Sequence, residues 1–138
     1  MLKLSKMTDY AVVCLGTLAR RPGSSMSATE LSKETGLALY TVQKLLKLLV
    51  SKSDFIKANR GALGGYMLNR NSSEISVVEI IEALDGPITL TSCVDKSESF
   101  CETSDICFLG GKWNKINEII RKSLNDISLK ELLSYETP

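Results

Sequence analysis

The 138-residue chain contains no histidine. That removes the side chain most often used as a general base near neutral pH, and a common nitrogen ligand for metals. No C-x-x-C pair occurs, so the four cysteines do not offer the dithiol of a redox enzyme. No apolar run approaches the length of a bilayer span. The opening residues, Met1-Leu-Lys-Leu-Ser-Lys6, lack the apolar core of a secretory signal. Together these absences argue against an enzyme and against a membrane partner. They point to the cytoplasm, where structural disulfides are rare and cysteines more often serve as ligands or reactive groups. Internal repeats and low-complexity tracts are also missing. Net charge is only +1, but it is unevenly spread. Residues 1–70 hold 11 Lys and Arg against 4 Asp and Glu, a balance of +7; residues 71–138 hold 6 against 12, a balance of −6. A basic N-terminal half is what a polyphosphate partner requires electrostatically.

What the chain does have is a cluster of thiols. Cys93, Cys101 and Cys107 fall within fifteen residues, separated by mostly polar or acidic side chains with no helical or strand period. Clustered thiolates suit zinc or an iron–sulfur cluster. Three ligands leave one coordination position to be filled from elsewhere. Cys14 stands apart, on the apolar stripe of a predicted helix, and reads as a small core residue.

Local signals divide the chain into elements. Residues 5–20 read as a helix capped by Ser5, with Ala11, Cys14, Leu15 and Leu18 on one face. Ser27-Ala-Thr-Glu30 is a capping-box pattern opening a short helix that Gly36 ends. A second helix, about 39–53, buries Val42, Leu45, Leu46 and Leu49 and turns Tyr40, Lys44 and Lys47 outward. Two helices joined by a tight glycine turn describe a helix-turn-helix. Gln43 can address adenine edges, Lys44 guanine or phosphate, and Tyr40 and Thr41 phosphate or a thymine methyl. Two β-prone runs around Gly61-Ala-Leu-Gly-Gly65 predict a hairpin at about 55–69, a wing with Arg60 at its tip. Ser76-Val-Val-Glu79 opens a further helix that Asp85-Gly86-Pro87 ends. After the cysteine loop, a longer helix from Lys112 to Asn125 carries Trp113, Ile116, Ile120 and Leu124 on an apolar face that a second copy of the chain could cover. Ser128 caps a last short helix. The expected fold is therefore mainly α with a small β-hairpin. It comprises a winged helix-turn-helix domain over 1–86, a cysteine loop over 87–110, and a dimerisation helix with a tail over 111–138.

In combination these pieces resemble the Rrf-two (BadM-type) winged-helix transcriptional regulators, of the IscR/NsrR-like kind. The residues that carry the resemblance are Leu4-Ser-Lys-Met-Thr-Asp9-Tyr-Ala11, Arg60-Gly-Ala-Leu-Gly-Gly-Tyr66, Ile75-Ser-Val-Val-Glu-Ile-Ile-Glu-Ala-Leu84 and the three loop cysteines. Gly36-Leu-Ala-Leu39, Leu90-Thr-Ser-Cys93 and Trp113-Asn-Lys-Ile-Asn117 are closest to the branch regulating the SUF iron–sulfur assembly system. The resemblance implies a homodimeric repressor of iron–sulfur cluster assembly genes that binds a pseudo-palindromic double-stranded operator. It implies that Cys93, Cys101 and Cys107 hold a [2Fe–2S] or [4Fe–4S] cluster whose occupancy alters DNA affinity. The DNA-facing positions it implies are Thr29, Leu39, Tyr40, Thr41, Gln43, Lys44 and Lys47, with Arg60, Gly61 and Ala62 of the wing. Some relatives use a histidine three residues after the third cysteine, where this chain has Gly110. Others use an early aspartate of the partner subunit, a place that Asp9 fits; Glu102 and Asp105 are the alternatives within the loop. A nitric-oxide or redox sensor of the same family, and a zinc-bound or metal-free winged-helix regulator, are the competing readings.

Overall fold

The computed structural model describes residues 2–62, 64–94, 101–103 and 106–136. Its elements run α1 (Lys6–Ala19), α2 (Ala28–Thr35), α3 (Leu39–Lys52), β1 (Ile56–Asn59), β2 (Gly65–Leu68), a single 3-10 turn (Ser72–Glu74), α4 (Val77–Asp85), α5 (Lys112–Asn125) and α6 (Leu129–Ser134). The fold is mostly helical with one antiparallel hairpin, as the sequence predicts.

Serine caps set most of the helix starts. The hydroxyls of Ser5, Ser27, Ser76 and Ser128 each accept the N–H of the residue three further on. At Ser76 the box is reciprocal, because the Glu79 carboxylate also accepts the Ser76 N–H at 2.9 Å. Ala11, Cys14, Leu15 and Leu18 of α1, Leu31 of α2 and Val42, Leu45, Leu46 and Leu49 of α3 meet in one buried core with Phe55, Ile75 and Ile80. Their spacing along each helix is why these three helices pack as a bundle.

The hairpin pairs Ile56 with Leu68 and Asn59 with Gly65. It has a third partner that the local pattern does not announce. Met26, just before α2, exchanges both backbone hydrogen bonds with Tyr66, at 2.9 and 2.7 Å. Gly65 makes this approach possible: its φ is +150°, and a Cβ there would lie 2.5 Å from the Met26 carbonyl oxygen.

Arg70 locks the base of the hairpin. Its guanidinium donates to Asp54 at 2.8 Å and to both Glu79 oxygens at 2.8 and 3.2 Å. The tail does not trail away with α5. Val77 N–H donates to Ile127 and Leu129 N–H to Ile75, at 2.9 and 2.8 Å, and Leu129 is fully buried in the α1–α3 core. Leu133 closes over Gly16 of α1, where a Cβ would lie 2.8 Å from its Cδ2.

Candidate functional site: the outward helix and wing, and the cysteine loop

Gly36, at φ +77°, turns α2 into α3, and the Ser32 hydroxyl donates to Leu37 O at 2.7 Å across the turn. The buried stripe of α3 fixes its opposite face. Tyr40, Gln43, Lys44 and Lys47, spaced i, i+3, i+4 and i+7, are all exposed, and Tyr40 is 76% exposed. Thr41 is half-buried at the edge of this face, while Leu39 and Thr29 are exposed at the starts of α3 and α2. Ala38 precedes α3 without a side-chain cap, so the N–H groups of the first turn are free of one.

At the wing tip Arg60, Gly61 and Ala62 are exposed. Gly61, at φ +104°, accepts the Gly64 N–H at 2.9 Å to close the turn. Asn59 ties the wing back to Ser25 through a 2.7 Å bond. Every DNA-facing position expected from sequence is therefore at least partly solvent-accessible, on a rigid helix or a braced hairpin.

The four cysteines sort into two kinds. Cys14 is completely buried, and burial pushes its thiol up to about 11. It is a core residue. Cys93 is exposed, Cys101 and Cys107 are half-buried, and all are free thiols. Thr91 Oγ1 lies 3.0 Å from Cys93 Sγ. Thr103 Oγ1 lies 3.5 Å from Cys101 Sγ, and hydrogen bonding from the Thr103 side chain and backbone holds that thiol below its ordinary value. A more acidic thiol is more often thiolate near neutral pH, and the thiolate is the form that ligates metals and attacks electrophiles. Among the described residues no three Cys, Asp or Glu side chains stand close enough together to hold a metal ion. The donor chemistry suits a soft metal centre, while this conformation leaves the three thiols apart. Asp9 is exposed in the first turn of α1, Glu102 is exposed, and Asp105 lies outside the described residues.

Both stems of the loop are anchored. Asp85, at the end of α4, accepts the Ser5 N–H at 3.1 Å and the Ser5 hydroxyl at 2.5 Å. Burial pushes the Asp85 carboxyl up, but these bonds outweigh it and leave it below its usual value. Asp85 thereby joins the start of the loop to the cap of α1, the helix that carries Asp9. On α5, the residue turned in against this chain is Asn117, next to Ile116 of the face expected to meet a second copy. Ile116 is 45% exposed and Asn117 only 6%. Arg121, one turn further, pairs with Glu82 of α4 at 2.9 Å. Sequence reading gave no joining role to Asn117, Arg121, Asp85 or Arg70. The available signal was a polar Asn among Trp113, Ile120 and Leu124 at helical spacing.

A family model for Rrf2, described as an iron-dependent transcriptional regulator, matches residues 4–135. The chain is 31% identical over 136 residues to the HTH-type transcriptional regulator IscR of Sodalis glossinidius, covering 98% of this chain and 81% of that protein. It is 28% identical to IscR of Klebsiella pneumoniae, covering 98% and 82%. Among solved structures it resembles CymR, the global cysteine regulator of B. subtilis, with TM-score 0.75 and 27% identity over 99% of this chain and 100% of that one. It also resembles T. potens IscR, with TM-score 0.68 and 25% identity over 99% and 94%.

Proposed function

Because the chain belongs to the Rrf2 family of winged-helix transcriptional regulators, we propose that it is a cytoplasmic, homodimeric repressor of iron–sulfur cluster assembly genes. Its affinity for a pseudo-palindromic operator follows the occupancy of a [2Fe–2S] or [4Fe–4S] cluster held by Cys93, Cys101 and Cys107. The observation that supports this most directly is the sorting of the thiols. Three free ones sit on a loop anchored between α4 and α5, and the fourth is sealed in the core.

Bound there, an iron–sulfur cluster supplies a centre that is gained and lost with iron, sulfide and oxidant supply. The protein's own part is mechanical. For the thiols to meet, the loop must close, and closure acts on the segments that anchor it. Those segments are α4, joined to α1 through Asp85 and Ser5, and α5, joined to α4 through Arg121 and Glu82. Both α1 and α4 pack against α3. A change in the loop is thereby passed to the base of the recognition helix. Asp9 of the partner subunit is the proposed fourth ligand, with Glu102 and Asp105 as the alternatives. On the DNA side, Gln43 and Lys44 read major-groove edges, Tyr40, Thr41, Lys47 and Thr29 hold phosphates, and Arg60 with Gly61, Ala62 enters the minor groove.

A second reading, in which nitric oxide or an oxidant is the signal, draws on the free and exposed thiol of Cys93.

The test is the affinity for duplex DNA from upstream of the iron–sulfur cluster assembly genes, measured anaerobically on one preparation before and after loading with iron and sulfide. We expect the two forms to differ by about tenfold or more. Arg60→Ala should weaken both by about tenfold. Equal affinity of the two forms would overturn cluster control, and salt-independent affinity would overturn the DNA-reading surface.

A further inference from the structure

Asn117 occupies a place that the pattern of α5 reserves for an apolar side chain. Its amide is buried and both ends are matched to backbone. Nδ2–H donates to Ile88 O at 2.8 Å, and Oδ1 accepts the Leu90 N–H at 2.9 Å. Residues 88 and 90 are two apart, so the amide pairs with an extended segment as a neighbouring strand would. The same segment has a second holder, since Ile88 N–H approaches Glu82 Oε1 at 3.5 Å. That carboxylate also receives Arg121, one helical turn beyond Asn117.

An apolar side chain at 117 would fill the space but leave the Leu90 N–H and Ile88 carbonyl unpaired. The amide therefore specifies where this segment lies, as well as covering it. The segment is the stem of the cysteine loop. Cys93 follows Leu90 by three residues. On the other side, the Cys107 carbonyl accepts the Gly110 N–H at 3.0 Å, and the chain enters α5 at Lys112. One side chain thus ties the stem bearing the first cysteine to the helix that the third cysteine leads into.

We propose that Asn117 is a positioning residue for the cluster site: it pins the loop's first stem to α5, so that the two outer cysteines start from a fixed frame before the thiols close. This rests on the cluster reading above. The physical reason is preorganisation. Chain that is already ordered does not have to be ordered when the ligand binds, so the bound state is longer-lived than on a free stem.

Asn117→Asp is nearly isosteric. It keeps an acceptor for the Leu90 N–H and sets a second oxygen against the Ile88 carbonyl. Asn117→Ser, smaller and uncharged, serves if the buried carboxylate hinders folding. Each variant would be loaded anaerobically with ferrous iron and sulfide. Loss of visible absorbance in excess chelator gives the cluster lifetime. The melting temperature and duplex-DNA affinity of the metal-free protein, and hydrogen exchange at the Leu90 amide, are read alongside. We expect cluster loss about tenfold faster, faster exchange at Leu90, and metal-free DNA affinity within about twofold of the parent. An unchanged lifetime with a deprotected Leu90 amide overturns the proposal and leaves the cluster reading intact. A shortened lifetime matched by equal losses in metal-free melting and DNA affinity also overturns it, since the role is then merely structural. A parent chain that takes up no iron and sulfide overturns the cluster reading, and the proposal with it.

Discussion

Single residues decide which thiols can act. The helical spacing of Cys14 with Ala11, Leu15 and Leu18 already assigns it to the core, and its complete burial agrees. In native metal-free protein, iodoacetamide should modify the three loop thiols and leave Cys14 unmodified until the chain is denatured, as mass spectrometry of digests would show. A native Cys14 adduct forming at the loop rate would contradict its assignment. For Cys101 the sign follows from the Thr103 bonds, which favour the thiolate. Thr103→Val should slow Cys101 alkylation at pH values below the ordinary thiol value of 9.0, and the two rates should converge above it. The role of Asn117 was hidden from sequence reading for a physical reason. An Asn inside a helix is mildly unfavourable by propensity, and only the fold reveals that its partners are 27 and 29 residues away. Ile116, about 100° round the helix from Asn117, falls on the outer side of α5 and is 45% exposed.

At the level of elements, starts and stops were the most legible features, because serine caps and glycine turns act within a few residues. Ser5, Ser27, Ser76, Ser128 and Gly36 all do locally what their positions suggest. Illegible were the joints between elements, which depend on distant partners. The Met26–Tyr66 pairing makes Gly65 more than a turn residue. Gly65→Ala should cost more than about 1 kcal/mol and weaken duplex binding by displacing the wing; an unchanged melting temperature would show that the pairing is not held in solution. Arg70 joins the wing base to the Glu79 capping box, and its hydrogen bond is the largest cause of the lowered Glu79 carboxyl, ahead of the burial that opposes it. A carboxyl lowered on folding stabilises above its unfolded value, near 4.5, and that stability is lost as pH falls through the lower folded value. Glu79→Gln keeps the capping-box acceptor but loses the ion pair, and should therefore cost about 0.5 kcal/mol at neutral pH, with the gap to the parent narrowing below about pH 4.5. A gap that stays constant into acid would remove the ion pair from the account.

For the whole molecule, the charge split and the winged helix-turn-helix were readable from composition and order, since +7 falls on the half that carries the outward helix and wing. Grouping the tail with α5 was natural from sequence, but Leu129 belongs to the N-terminal core, so the chain closes on itself. Leu129→Ala should cost about 3 kcal/mol, measured by denaturant unfolding; a loss below about 1 kcal/mol would mean that the tail is not integral. Along α5, Trp113, Ile116 and Ile119 stay 37%, 45% and 54% exposed, an apolar face that suits a second copy. Ile116→Asp should shift the protein from dimer to monomer in sedimentation and weaken operator binding; a parent chain that sediments as a monomer at micromolar concentration would overturn the dimer. If the three loop cysteines hold an iron–sulfur cluster, the visible absorption spectrum of anaerobically purified protein will carry its bands, with iron, sulfide and zinc assayed on the same sample. Visible bands with iron and sulfide together are expected, lost in Cys93→Ser, Cys101→Ser and Cys107→Ser and kept in Cys14→Ala. A colourless protein carrying about one zinc per chain, or one that stays metal-free after reconstitution, would contradict the cluster reading.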